Sequence, residues 1–127
     1  MKKSIRIVLI ILLIHTTLMR GNTSPPTSEP QADFPKKVSE ILTNSCYDCH
    51  TTGTKAEKAF KAMDFKKWGE YKLTKKISLL TKICEVTEGE VMPPEKYLKQ
   101  HPEKALSASD IKTICNWTKK ETEKLIK

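Results

Sequence analysis

Apolar side chains become scarce after the first twenty residues. Of the 48 hydrophobic residues in the 127-residue chain, 12 fall in positions 1–20, so the other 107 positions hold only 36, about a third. Folded domains ordinarily carry about 45 to 50%. A chain this small and this poor in apolar residues buries a thin core, and such domains commonly add a staple: a disulfide, a metal or a bulky cofactor. The length suits one small domain and excludes a large enzyme of several domains.

The first twenty residues have a character of their own. Lys2, Lys3 and Arg6 precede the unbroken apolar run Ile7 to Ile14, the pattern of an export signal. The run is short for a membrane span, and no small-x-small cleavage site follows it. Residues 1–20 are therefore read as a signal peptide or a retained N-terminal anchor, with cleaved export favoured. Either way the chain is expected outside the cytoplasm, in the periplasm or at the outer face of the membrane. Residues 21–32 are rich in Pro, Ser and Thr and have no large apolar side chain, the composition of a solvated linker. The folded domain is expected over 33–127.

Charge divides in the same way. Four of the 23 bases lie in the leader with no acid beside them, which leaves 19 bases against 15 acids, half of the formal +8. No helix-turn-helix, zinc-finger or basic-aromatic pattern accompanies that mild excess, so nucleic acid is set aside as a partner. Lys55 to Lys82 holds nine Lys against Glu57, Asp64 and Glu70, whereas Glu85, Glu88, Glu90 and Glu95 precede the next base, Lys96. A Lys-rich stretch is by default a solvated face; beside a functional site it would steer an acidic partner.

No strand-like alternation appears, and four segments have helical spacing, so an all-α domain is expected. The first runs through Phe34, Val38, Ile41 and Leu42, with Asp33 as its expected N-cap. The second carries Ala56, Ala59, Phe60 and Met63 and leads into a turn over Asp64 to Tyr71. The third sets Leu73, Ile77, Leu80 and Cys84 on one stripe and stops near Gly89. The last opens on a capping box, Ser107 with Asp110, and runs through Ile114 and Trp117 toward Leu125. Glu90 to Leu106, with Pro93, Pro94 and Pro102, cannot be one regular helix.

The stretch with the sharpest chemistry is Cys46-Tyr47-Asp48-Cys49-His50. At a helix start, positions three apart share a face and the next residue lies beside them, so two thiols and an imidazole can address one flat ligand. That arrangement suits covalent haem: each thiol adds across a vinyl group as a thioether, and His50 reaches the iron from one side. Two readings compete. A redox dithiol is usually set in a strand-helix-strand fold, which the sequence lacks. A structural zinc site needs a second close pair, and Cys84 and Cys115 stand 31 residues apart.

With CYDCH at Cys46 to His50, DFKKWGEY at Asp64 to Tyr71, EGEVMPPEKYLKQHPEKALSASD at Glu88 to Asp110, and Trp117, the chain resembles the c-type cytochromes, and more narrowly the bacterial haem-binding domain family of small exported monohaem proteins. The resemblance covers about Phe34 to Thr118. It implies a cytochrome c-like helical fold around one covalent haem c, an electron carrier and not an enzyme, with a redox partner protein. Cys84 and Cys115 are not part of the family's core signature.

Met92 is the expected distal ligand. Two prolines after it stiffen the backbone that presents its thioether, and a Met–His pair raises the reduction potential, as suits a carrier. The plain alternative is a gap-filling core Met. His101, before Pro102, is the rival ligand and would give bis-His iron of lower potential. Cys84 and Cys115 both sit on apolar helical faces, where they close a disulfide or stay as buried thiols; the disulfide is slightly favoured outside the cytoplasm. Tyr47, Phe60, Trp68, Tyr71, Tyr97 and Trp117 are expected around the cofactor and between helices. Two functions from other classes are kept: a haem-based sensor with a displaceable distal ligand, and a zinc-stapled structural module.

Overall fold

Residues 34–127 are described by a computed structural model, and they form helices with no strand among them. The leader, the linker and Asp33 lie outside the described residues. The first helix, α1, spans Lys36–Ser45 and starts on Pro35, two residues after the expected cap. Proline disfavours helical backbone in the residue before it, so a helix cannot comfortably begin at Asp33 and run through Phe34. Pro35 accepts the first bond through its carbonyl, from the Ser39 amide at 2.9 Å. Phe34 stays outside the helix, with its ring against Trp117 at 5.5 Å, Trp68 at 5.7 Å and Phe65 at 6.0 Å.

A short helix α2, Glu57–Ala62, buries no residue. It leads to a 3-10 turn, Phe65–Glu70, capped by Asp64, whose carboxylate accepts from the Lys66 amide at 3.0 Å. Helix α3 spans Leu73–Glu88, and α4 is one turn, Glu95–Leu98. A second 3-10 turn, Pro102–Lys104, precedes α5, Ala108–Leu125. The expected capping box forms: the Asp110 amide donates to Ser107 Oγ at 3.1 Å, and the Ser107 amide donates to Asp110 Oδ2 at 3.1 Å. Helix α3 ends at Gly89 as expected, but the residue in left-handed backbone is Glu90, at φ 53°. None of these helices is long and apolar enough to cross a membrane.

Helix α3 packs along α5, and α1 lies against α5 as well. The core consists of Val38, Ile41 and Leu42 from α1, Phe65 and Trp68 from the 3-10 turn, Leu80 and Ile83 from α3, and Ile114 and Trp117 from α5. Each such side chain contributes about 1.5–3 kcal/mol on burial. Nine buried apolar residues among those described make a thin core, in keeping with the composition. A disulfide between Cys84 and Cys115, with Cα atoms 4.9 Å apart, joins α3 to α5.

The α3 stripe differs from the expected one. Leu73 is half exposed, and the fully buried face is Leu80, Ile83 and Thr87. Phe60 is half-buried and stands outside the core cluster.

Candidate functional site

The CYDCH segment lies at the end of α1, and not at a helix start. Cys46 and Tyr47 amides both donate to the Leu42 carbonyl, at 2.9 and 3.0 Å, and Cys49 and His50 amides both donate to the Cys46 carbonyl, at 3.2 and 2.9 Å. These bonds make one further helical turn, so the three-and-four spacing still presents Cys46, Cys49 and His50 together. Both thiols are free.

All three residues line one cavity of about 330 Å³, within the size range of small-molecule and cofactor sites. Its walls are almost wholly apolar. Leu79, Ile83 and Val86 of α3 form one side; Ala59, Ala62 and Met63 come from α2 and the residue after it; Met92, Pro93, Pro94 and Tyr97 close another. Leu79, Ile83 and Val86 are spaced by four and three, a second apolar face on α3 beside the one that meets α5. That spacing was readable in the sequence, but the two faces merge when apolar positions are assigned to a single stripe.

His50 is oriented from behind. Its Nδ1 lies 3.2 Å from the Met63 carbonyl oxygen, and its own carbonyl accepts from the Phe65 amide at 2.9 Å. An Nδ1–H donated to a carbonyl leaves the lone pair on Nε2, the nitrogen free to take a metal. Met63 is followed by Asp64, which is buried. The Asp64 carboxylate accepts from the Thr52 hydroxyl and the Lys66 amide, and its own amide donates to the Tyr71 hydroxyl at 2.7 Å. Burial alone would push that carboxyl up, but the hydrogen bonds from Thr52 and Lys66 hold it below the usual carboxylate range.

Cys46 is pushed up to about 12 by burial and by the neighbouring Cys49 thiol. Burial, with the Asp48 carboxylate, raises Cys49 too. A redox dithiol needs a lowered thiol, so this pair is poorly set for disulfide exchange. Zinc fares no better. Among the described residues, the Cys, His and carboxylate donors that converge within 4.8 Å are Cys84, Glu88 and Cys115, and both sulfurs are spent in the disulfide.

Met92 is 36% exposed at the edge of the cavity. Its amide and that of Val91 donate to the Val86 carbonyl, at 3.0 and 2.9 Å, which ties the segment to the end of α3. Met63, partly buried against the core, also stands in the cavity wall. His101 is not among the lining residues: its ring stacks on Tyr97 with centroids 4.6 Å apart, and its Nδ1 lies 3.6 Å from Glu103 Oε1. Of the aromatic residues expected around a cofactor, Tyr97 lines the cavity, while Trp68 and Trp117 belong to the core. Phe65, missed by the sequence reading, also lines it and meets His50 edge-on at 6.4 Å.

The model of a family described as a haem-binding domain matches residues 54–120, just over half of the chain. The chain belongs to the haem-binding domain family. Comparison with curated proteins and with solved structures gave no match. The matched segment of this haem-binding domain begins four residues after His50, yet it supplies most of the cavity, from Ala59 to Tyr97. The residues present fit a haem: an apolar cleft, an imidazole with Nδ1 already engaged, and two free thiols beside it. When bound, haem supplies a one-electron iron couple.

Proposed function

We propose that the chain holds one haem c, linked through Cys46 and Cys49 and ligated by His50 and Met92, and that it carries single electrons between proteins outside the cytoplasm. The observation that carries this reading is the meeting of Cys46, Cys49, His50 and Met92 on the walls of one apolar cavity, with both thiols free. Thioether formation is an addition: each S–H adds across a vinyl C=C, sulfur to one carbon and hydrogen to the other, and no oxidant is consumed.

Met92 is preferred to Met63 because the Met63 carbonyl sits on His50 Nδ1, on the proximal side, whereas Met92 comes from a separate segment. His101 is disfavoured by its stacking on Tyr97 away from the cavity wall. In this reading the chain is a carrier and not an enzyme. The apolar sequence at residues 7–14 supports export, with membrane contact only through a retained leader. Lys82 on the cavity wall, within the Lys-rich stretch 55–82, favours an acidic redox partner.

A haem-based sensor is the second reading, favoured by the exposure of Met92, which would make the distal ligand displaceable. The test is the intact mass and pyridine haemochrome spectrum of protein made in an exporting host with haem-attachment machinery. One covalent haem with two saturated vinyl groups supports the proposal, and its absence overturns it. A low-spin ferric spectrum with a thioether-to-iron band supports the carrier; a high-spin resting spectrum with rapid carbon monoxide binding supports the sensor.

A further inference from the structure

The segment that carries Met92 has a firm attachment on one side only. Before it, Val91 and Met92 amides reach the Val86 carbonyl on α3. After it come Pro93 and Pro94, which have no N–H to donate, and the Pro94 carbonyl accepts from the Tyr97 and Leu98 amides of its own next turn, at 2.9 and 3.0 Å. The ties from there to the thiol-bearing turn are made by side chains. The Tyr97 hydroxyl donates to Asp48 Oδ2 at 2.6 Å, and Lys104 Nζ lies 3.1 Å from the same oxygen. Asn44 Nδ2 donates to the Glu103 carbonyl at 3.4 Å. All three contacts join residues 44–48 to residues 97–104, two stretches roughly fifty positions apart in the chain. His101, stacked on Tyr97, supports the ring that makes the shortest of them.

Resting on the haem c reading above, we propose that Asp48 is a positioning residue for Met92: through Tyr97 and Lys104 its carboxylate latches the distal segment to the turn that carries both thiols and the proximal imidazole. Asp48 is a spacer residue between the two thiols that lines the same cavity, and its carboxylate meets Tyr97 and Lys104. The Tyr97 bond carries most of the effect, since a hydroxyl donating to an ionised carboxylate is among the stronger hydrogen bonds. Lys104 contributes less, because an ion pair with a half-exposed Asp48 is screened by water. With the latch broken, Met92 is held from α3 alone, the open population grows, and an added ligand gains apparent affinity in proportion.

The experiment uses the haem-loaded protein and its Tyr97→Phe, Asp48→Asn and Lys104→Met variants, titrated in the ferric state with imidazole. Tyr97→Phe and Asp48→Asn are expected to bind imidazole about tenfold more tightly and to show a weaker thioether-to-iron band. Lys104→Met is expected to shift less. The double variant Asp48→Asn/Tyr97→Phe should match the larger single effect, since both remove one bond. Wild-type affinity in Tyr97→Phe overturns the latch, as does an additive double variant or an effect confined to Asp48→Asn. A wild-type protein without covalent haem instead overturns the function reading. The latch is then read from hydrogen exchange on the same chain: the Tyr97 and Leu98 amides, which donate to the Pro94 carbonyl beyond the attachment to α3, exchange about tenfold faster in Tyr97→Phe if it holds, and at the wild-type rate if it does not.

Discussion

The Nδ1 of His50 lies 3.2 Å from the carbonyl oxygen of Met63, and the residue that follows Met63 is the buried Asp64, whose carboxylate accepts from the Thr52 hydroxyl and the Lys66 amide. Asp64→Asn keeps the size but replaces one carboxylate oxygen with an amide that cannot accept from the Thr52 hydroxyl. The expected cost is about 1–3 kcal/mol of stability. In the haem-loaded protein the reduction potential should rise, because an imidazole with a looser Nδ1 bond is a weaker donor to ferric iron. Denaturant titration and potentiometry check the two parts. A destabilised variant with an unchanged potential would mean that Asp64 serves the fold and not the orientation of His50.

The assignment of the distal ligand makes a separate prediction. Met92→Ala in the haem-loaded protein should abolish the thioether-to-iron band and lower the potential by on the order of 0.1–0.2 V, a fraction of the ~0.8 V that axial ligands set. His101→Ala should leave the band intact, and so should Met63→Leu. Loss of the band in Met63→Leu alone would move the distal ligand to the other thioether of the cavity wall.

That Cys46, Cys49 and His50 meet on the wall of one cavity was legible in the sequence, because one helical turn brings residues at that spacing together wherever the turn falls. Its position at the end of α1 was not legible, since Cys49 and His50 both bond back to Cys46 without any distinctive residue to announce it. The Ser107–Asp110 box was legible because both bonds are local. The start of α1 differs from the expected one because Pro35 restricts Phe34, which outweighs the capping preference of Asp33. The Leu79, Ile83 and Val86 face escaped notice because a helix that is apolar on two sides reads as one broad stripe. The Tyr97–Asp48 bond joins residues 49 positions apart across an irregular loop, and no periodicity encodes such a contact.

The Cys84–Cys115 disulfide should be a principal source of stability in a domain with so thin a core. Closing a loop over a separation of 31 residues removes about 3–4 kcal/mol of unfolded-state freedom. Cys84→Ser with Cys115→Ser is expected to lower the guanidinium midpoint by a corresponding amount, and Cys84 and Cys115 should resist alkylation in the wild type unless it is first reduced. A loss below about 1 kcal/mol would show that the packing of α3 on α5 already fixes this geometry without the covalent link.

Acid should destabilise the domain through three carboxylates. Hydrogen bonds from Tyr97 and Lys104 hold Asp48 below its ordinary value of 3.8; those from Thr52 and Lys66 outweigh burial at Asp64; the Ser107 hydroxyl lowers Asp110. Each carboxylate therefore binds its proton less readily folded than unfolded. The stability this contributes is complete above the unfolded value and is lost as pH falls through it to the depressed folded values. Alkali acts with the opposite sign on Tyr97, raised to about 12 by its bond to Asp48, and on Cys46 of the haem-free chain, raised to about 12 by burial. Both keep their protons longer when folded, so their contribution is present at neutral pH and is lost as pH rises past the unfolded values toward 12. Thioether formation removes the Cys46 proton from this balance, so the haem-loaded protein should lose less stability at high pH than the haem-free chain. Denaturant midpoints across the pH range check both limbs. Ser107→Ala should cost about 1 kcal/mol at neutral pH and flatten the acid limb; an acid limb of unchanged slope in that variant would remove Asp110 from the account.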